Sequence, residues 1–169
     1  IAALADLGLE WHFIGPLQSN KTRPIAEQFP WVHSIDREKV AYRLSEQRPA
    51  AFHPLMACIQ VNVSGEASKS GVPPEGALAL ARQVAGLPNI RLRGLMTVPA
   101  PSSEAIGQQA QFRQLRRLFE EIRAHGIEMD TLSMGMSDDL EAAILEGATI
   151  VRVGSAIFGS RRVGTSDPA

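Results

Sequence analysis

Short apolar runs alternate with helix-patterned segments along almost the whole chain, and this alternation limits the possible folds more than any other feature. Strand-like runs occupy residues 11–14, 32–35, 57–63, 92–98, 131–136 and 150–153. Helical patterns fill most of the intervals, over 20–29, 38–47, 74–86, 104–124 and 138–146. Strand–helix–strand alternation specifies a parallel sheet covered by helices. Several of the runs are nearly continuous in apolar residues, as strands buried on both faces should be. The pattern yields six strand–helix units, whereas a complete eight-unit barrel usually needs ~250 residues and ~200 at its smallest. The expectation is therefore an α/β fold, a (β/α)8 TIM barrel lacking about its first two units. An open doubly wound sheet is the alternative.

The longest helical pattern, 104–124, places Phe112, Leu115, Phe119 and Ile122 at helical spacing. Arg116 with Glu120 and Arg117 with Glu121 lie on its other face, as expected of a solvated surface. Residues 1–8 read as the end of a helix closing at Gly8, the tail of an element whose beginning is absent. One barrel domain is expected over 1–160, followed by a loose polar tail over 161–169.

Of the 169 residues, 44% are hydrophobic and 21% charged, which is ordinary for a globular chain. A net charge of -1 gives no electrostatic footprint for nucleic acid or an anionic membrane. No apolar run approaches the ~20 residues of a membrane span. The lone Cys58 cannot form an internal disulfide and reads as a small buried hydrophobe. A cytoplasmic setting is expected.

Four segments could carry chemistry. The last strand, 150–153, alternates so that Ile150, Arg152 and Gly154 share one face, which would aim Arg152 into the barrel. A buried guanidinium needs a partner, either a carboxylate of the protein or an acceptor on a ligand. Gly154 and Ser155 follow at once, where barrels of this kind often bind phosphate. The preceding strand ends at Gly135, and Ser137 reads as the N-cap of the next helix. Asp138 and Asp139 suit a helix start better than a metal pair. The run from Gly15 to Thr22 nearly matches a nucleotide-phosphate loop, but Asn20 replaces its second glycine and Pro16 removes a donor. It reads as a strand end, a turn and a helix start. Among the histidines, His12 is open to either a structural or a pocket role, whereas His33, His53 and His125 read as surface or core positions. Lys69-Ser70-Gly71 is either an anion contact or an ordinary loop.

Together, the run from Trp11 to Lys21, Lys69-Ser70-Gly71, Gly94-Leu95-Met96, the run from Leu132 to Asp139 and the run from Arg152 to Gly159 resemble the pyridoxal phosphate homeostasis proteins, relatives of the alanine racemase N-terminal barrel. The resemblance implies pyridoxal 5'-phosphate (PLP) at the C-terminal mouth of the barrel. It places the phosphate on Ser137, Gly154 and Ser155, and the pyridine nitrogen opposite Arg152. His12, Met96, Ser133 and Met134 would complete the site, with Lys21 and Lys69 as secondary anion contacts. The family's Schiff-base lysine and a glycine–glutamate–asparagine stretch are expected upstream of Ile1, so no catalytic residue is assigned here. The resemblance implies a monomeric cytoplasmic carrier that binds, buffers and delivers PLP, with PLP-dependent apoenzymes as partners. An amino acid racemase is the alternative; it would need a second base, and the single tyrosine, Tyr42, lies far from these motifs. A sugar-phosphate barrel enzyme would explain the phosphate motifs but not Arg152.

Overall fold

A computed structural model describes residues 1–66, 68–99 and 105–159. Its six strands are β1 (His12–Phe13), β2 (Trp31–Ile35), β3 (Leu55–Gln60), β4 (Ile90–Met96), β5 (Thr131–Met136) and β6 (Ile150–Arg152). The helices are α1 (Thr22–Gln28), α2 (Glu38–Gln47), α3 (Pro74–Ala85), α4 (Ala105–Ala124), α5 (Leu140–Leu145) and α6 (Ser155–Phe158). All adjacent strands pair in parallel, in the order β1-β2-β3-β4-β5-β6. A doubly wound sheet reverses its strand order at a switch point. This sheet never reverses, so the open doubly wound alternative is excluded and the chain forms a curled half-barrel.

Two apolar layers follow from strand alternation. The larger lies between sheet and helices and includes Val32, Ile35, Ala57, Ile59, Leu92, Leu95, Leu132 and Met134. Phe112, Leu115, Phe119 and Ile122 of α4 meet them from outside, on the face their spacing predicts. The smaller layer fills the inside of the curl, with Trp31, Cys58 and Met96 packed against Met56, Val98 and Ile150. Cys58 is fully buried there, and burial pushes its thiol up to about 12, so it is an inert core side chain.

Simple alternation does not account for which side chains face inward, because three strands carry bulges. Ala57 pairs with Leu92 but Cys58 with Gly94, leaving Arg93 as an extra residue in β4. The shift turns Leu95 to the helices and Met96 to the interior. Similar shifts lie between Val32 and Ile35 in β2 and between Ser133 and Met136 in β5. The last contains Gly135, whose φ of 93° is a conformation that glycine adopts without strain.

Several sequence expectations shift by a few residues. The first helical pattern divides into a short 3-10 turn, Ser19–Lys21, and α1. Residues 2–7 form 3-10 turns closed by Gly8 at φ 60°. The helix after β5 begins at Leu140 rather than Asp138. The expected tail over 161–169 lies outside the described residues. Among the described residues, no helix is long and apolar enough to cross a membrane.

Candidate functional site

The C-terminal ends of the strands converge on Arg152. Its side chain points into the curl and is largely buried, and desolvation pulls its pKa below the usual guanidinium value. Nη1 donates to the Ser133 carbonyl at 2.8 Å and to Ser133 Oγ at 2.9 Å, and Nη2 donates to the Thr97 carbonyl at 2.7 Å. These acceptors come from β5 and from the turn after β4. Among the described residues no carboxylate lies within ion-pair distance of Arg152. This partly buried cation is therefore held by neutral acceptors, and part of its donor capacity has no partner among the described residues.

Ser133 also meets His33, whose Nδ1 lies 2.8 Å from Ser133 Oγ. His33 is fully buried, and its Nε2 lies 2.8 Å from His12 Nδ1. His12 stacks on Trp31 with ring centroids 5.1 Å apart, and Arg93 lies over the Trp31 ring at 5.0 Å while gripping Asp130 through two bonds of 2.8 and 2.7 Å. Burial, then His12, then Arg152 lower the His33 pKa to about 4. A column of aromatic and polar groups thus runs up the inside of the barrel to Arg152.

Beside it, Ser137 bridges the last two units. Its Oγ accepts from the Gly154 N–H at 3.3 Å and the Ala156 N–H at 3.2 Å. Ser137 was expected to cap the next helix; instead it joins the β5 turn to the β6 turn, because α5 starts three residues later. Of the acidic pair, Asp139 braces the turn, its Oδ1 accepting from the Met136 N–H at 2.5 Å. No group of three metal-ligating side chains is found among the described residues.

A cavity of about 260 Å³ opens on the β1–β3 side of the mouth, lined by Gly15, Gln60, Lys69, Ser70, Met96 and Val98 among others. The structure thus gathers Arg152, Ser133 and His12 into one hydrogen-bonded group. It places Ser137, Gly154 and Ser155 at the adjoining turns, and Met96 and Lys69 at the cavity. Met134 does not join them: its side chain packs in the helix-facing core, because it alternates with Ser133. Lys21 is exposed at the end of the 3-10 turn before α1 and makes no hydrogen bond to the group. Sequence reasoning missed His33 and Thr97. Their signals are slight, a histidine in an apolar strand and a threonine after one.

The fold and this mouth define a class. Residues 3–162 match the alanine racemase N-terminal domain. The chain is 64% identical over 163 residues to the pyridoxal phosphate homeostasis protein of Pseudomonas aeruginosa, covering 96% of this chain and 70% of that one. It is 58% identical over 156 residues to the protein of the same name from Vibrio cholerae, covering 92% and 66%. The solved structure of PipY from Synechococcus elongatus with PLP bound superposes with a TM-score of 0.83 at 36% identity, covering 94% of this chain and 74% of that one. Within the alanine racemase N-terminal class, the chain belongs to the pyridoxal phosphate homeostasis protein family. It spans about two thirds of the length of these curated relatives.

Proposed function

We propose that this chain is the greater part of a barrel that binds PLP and serves intracellular PLP homeostasis by holding, buffering and delivering the cofactor, with little catalysis of its own. The observation that carries this reading is Arg152, a partly buried, inward-pointing cation at the mouth with, among the described residues, donors to spare and no carboxylate within ion-pair reach. Relatives that carry the homeostasis name, and one solved with PLP bound, point to the same ligand.

The residues fit that ligand at both ends. Ser137, Gly154 and Ser155 suit the phosphate, with the Gly154 N–H turning to it from Ser137 Oγ, on which it rests at 3.3 Å. Arg152 suits the pyridine nitrogen, with Ser133 holding it in place and His12 and Met96 on the inner wall. Lys69, at the rim of the cavity, serves as a secondary anion contact. When bound, PLP supplies an electron-withdrawing ring that is strongest with its pyridine nitrogen protonated. A guanidinium only donates hydrogen bonds. Arg152 therefore favours the unprotonated nitrogen and weakens the ring as an electron sink, which is compatible with a carrier.

Two further β/α units would complete the barrel. The sheet leaves β1 and β6 as edges, and exposed apolar side chains flank them, including Leu7, Leu9, Val151, Ile157 and Phe158. We read these as surfaces that the remaining units cover. A monomer in the cytoplasm, passing PLP to apoenzymes, completes the reading.

The test uses the intact protein containing this chain. Loaded with PLP, it should keep the cofactor through gel filtration, restore activity to a PLP-dependent apoenzyme, and leave L-alanine optically unchanged. Loss of PLP on the column overturns the binding reading, and racemisation at enzymatic rates overturns the carrier reading.

A further inference from the structure

The hydrogen bonds behind Arg152 have a direction that the chemistry of the groups fixes. Arg152 Nη1 is a donor only, so Ser133 Oγ accepts from it. The serine proton needs an acceptor of its own, and among the described contacts of Ser133 Oγ that acceptor is His33 Nδ1, 2.8 Å away. His33 then carries its hydrogen on Nε2 and donates it to His12 Nδ1, also at 2.8 Å. His12 in turn carries its hydrogen on Nε2, facing Glu10 Oε2 at 3.4 Å. The chain runs Arg152 to Ser133 to His33 to His12 to Glu10, with an acceptor for every donor. The opposite order would make His33 Nδ1 a donor to Ser133 and leave the buried serine proton without an acceptor among the described contacts.

We infer that His33 is a positioning residue for the cofactor site, held as the neutral Nε2–H tautomer so that it orients Ser133 and, through Ser133, Arg152. The inference rests on the reading of Arg152 as the group that faces the pyridine nitrogen. It adds a buried residue that touches no ligand and joins strands distant in sequence. Nothing about His33 alone suggests this, since a histidine in a sheet core is ordinarily only packed. Here both ring nitrogens are engaged, one of them on the hydroxyl that anchors Arg152. A protonated His33 would donate at both positions, turning the serine hydroxyl away and placing a second cation beside Arg152. The charged and titratable groups facing His33 are His12 from β1 and Arg152 from β6. Burial and both of these neighbours favour the neutral ring.

The experiment uses the intact protein, labelled with 15N at histidine. Nitrogen NMR of the wild type without PLP should show His33 neutral with its hydrogen on Nε2 throughout pH 5–8. His33→Phe should weaken PLP binding about tenfold, as expected for one lost bond supporting a charged group, and should shift the absorption of bound PLP. His33→Asn, which offers an amide oxygen where Nδ1 sits, should recover much of both. If His33→Phe does not fold, Ser133→Ala removes the same link from the other side and should also weaken PLP binding and change the Nδ1 signal of His33. A His33 that is protonated at pH 7, or that carries its hydrogen on Nδ1, overturns the inference. So does wild-type PLP affinity with an unchanged spectrum in the folded variant. A wild type that fails to bind PLP overturns the functional reading first and the role of His33 with it.

Discussion

At His33, burial, His12 and Arg152 together oppose protonation, and the resulting shift is also a statement about stability. The unfolded chain takes up a proton at this ring near the ordinary 6.5, and the folded chain only near about 4. Between those values the unfolded state binds more protons, so stability falls as pH is lowered through that window and is fully present above it. A shift from 6.5 to about 4 corresponds to about 3 kcal/mol at full extent. Urea titrations should therefore show the midpoint rising from pH 4 to pH 6.5, with a clearly smaller rise in His33→Asn. An equal slope in the variant would mean that other groups set the pH dependence. Arg152 makes the complementary case, because its interior direction was readable from β6 alternation while its partners were not. A carboxylate remained possible on sequence grounds. Only the folded chain brings the carbonyls of Ser133 and Thr97, separated from it by 19 and 55 positions, to the guanidinium.

At the level of single elements, close approaches between strands explain residues that look replaceable in sequence. Gly94 sits in the bulge of β4, where an added Cβ would lie 1.7 Å from the Thr131 carbonyl oxygen of β5. Backbone cannot yield there as a flexible side chain would. Gly94→Ala should cost about 3 kcal/mol by overpacking, or roughly 6–12 °C in Tm; a melting temperature within a degree of wild type would refute that account. A second joint fastens α5 to α4. Glu146 is buried, and its Oε1 accepts from Gln109 at 2.9 Å and from Arg113 at 2.8 and 3.1 Å, while Oε2 lies 3.2 Å from Arg116. The bond from Arg113 is the main reason its carboxyl lies below the usual range. That stabilisation is present at neutral pH and lost as pH falls through the carboxylate range, so Glu146→Gln should lower the urea midpoint at pH 7 and cost less near pH 4. A constant loss across that range would point to packing rather than charge. The strand β5 shows where legibility stops. Its span of Thr131–Met136 was readable to the residue, because apolar runs between turn signals mark strand cores. Its bulge at Gly135 was not, because a period of two carries no trace of an inserted residue. That bulge decides how Ser133 and Met136 meet β6.

For the molecule as a whole, strand–helix alternation was enough to indicate a parallel sheet wrapped by helices, and the sequential strand order makes it a half-barrel of the alanine racemase N-terminal type. What alternation cannot show is which distant residues the curl brings together inside. Trp31, Cys58 and Met96 meet there because curvature closes the inner face, not because their neighbours in sequence demand it. The same curvature places the turns after β4, β5 and β6 around one partly buried cation, Arg152, and the proposed function depends on that cation. The most direct measurement is equilibrium titration of the intact protein and its Arg152→Ala variant with PLP, followed by the absorption of the bound cofactor. The account predicts tight binding by the wild type and a loss of at least tenfold in the variant, whose fold is checked by circular dichroism. Equal affinity in a folded variant would contradict it and remove Arg152 from the site.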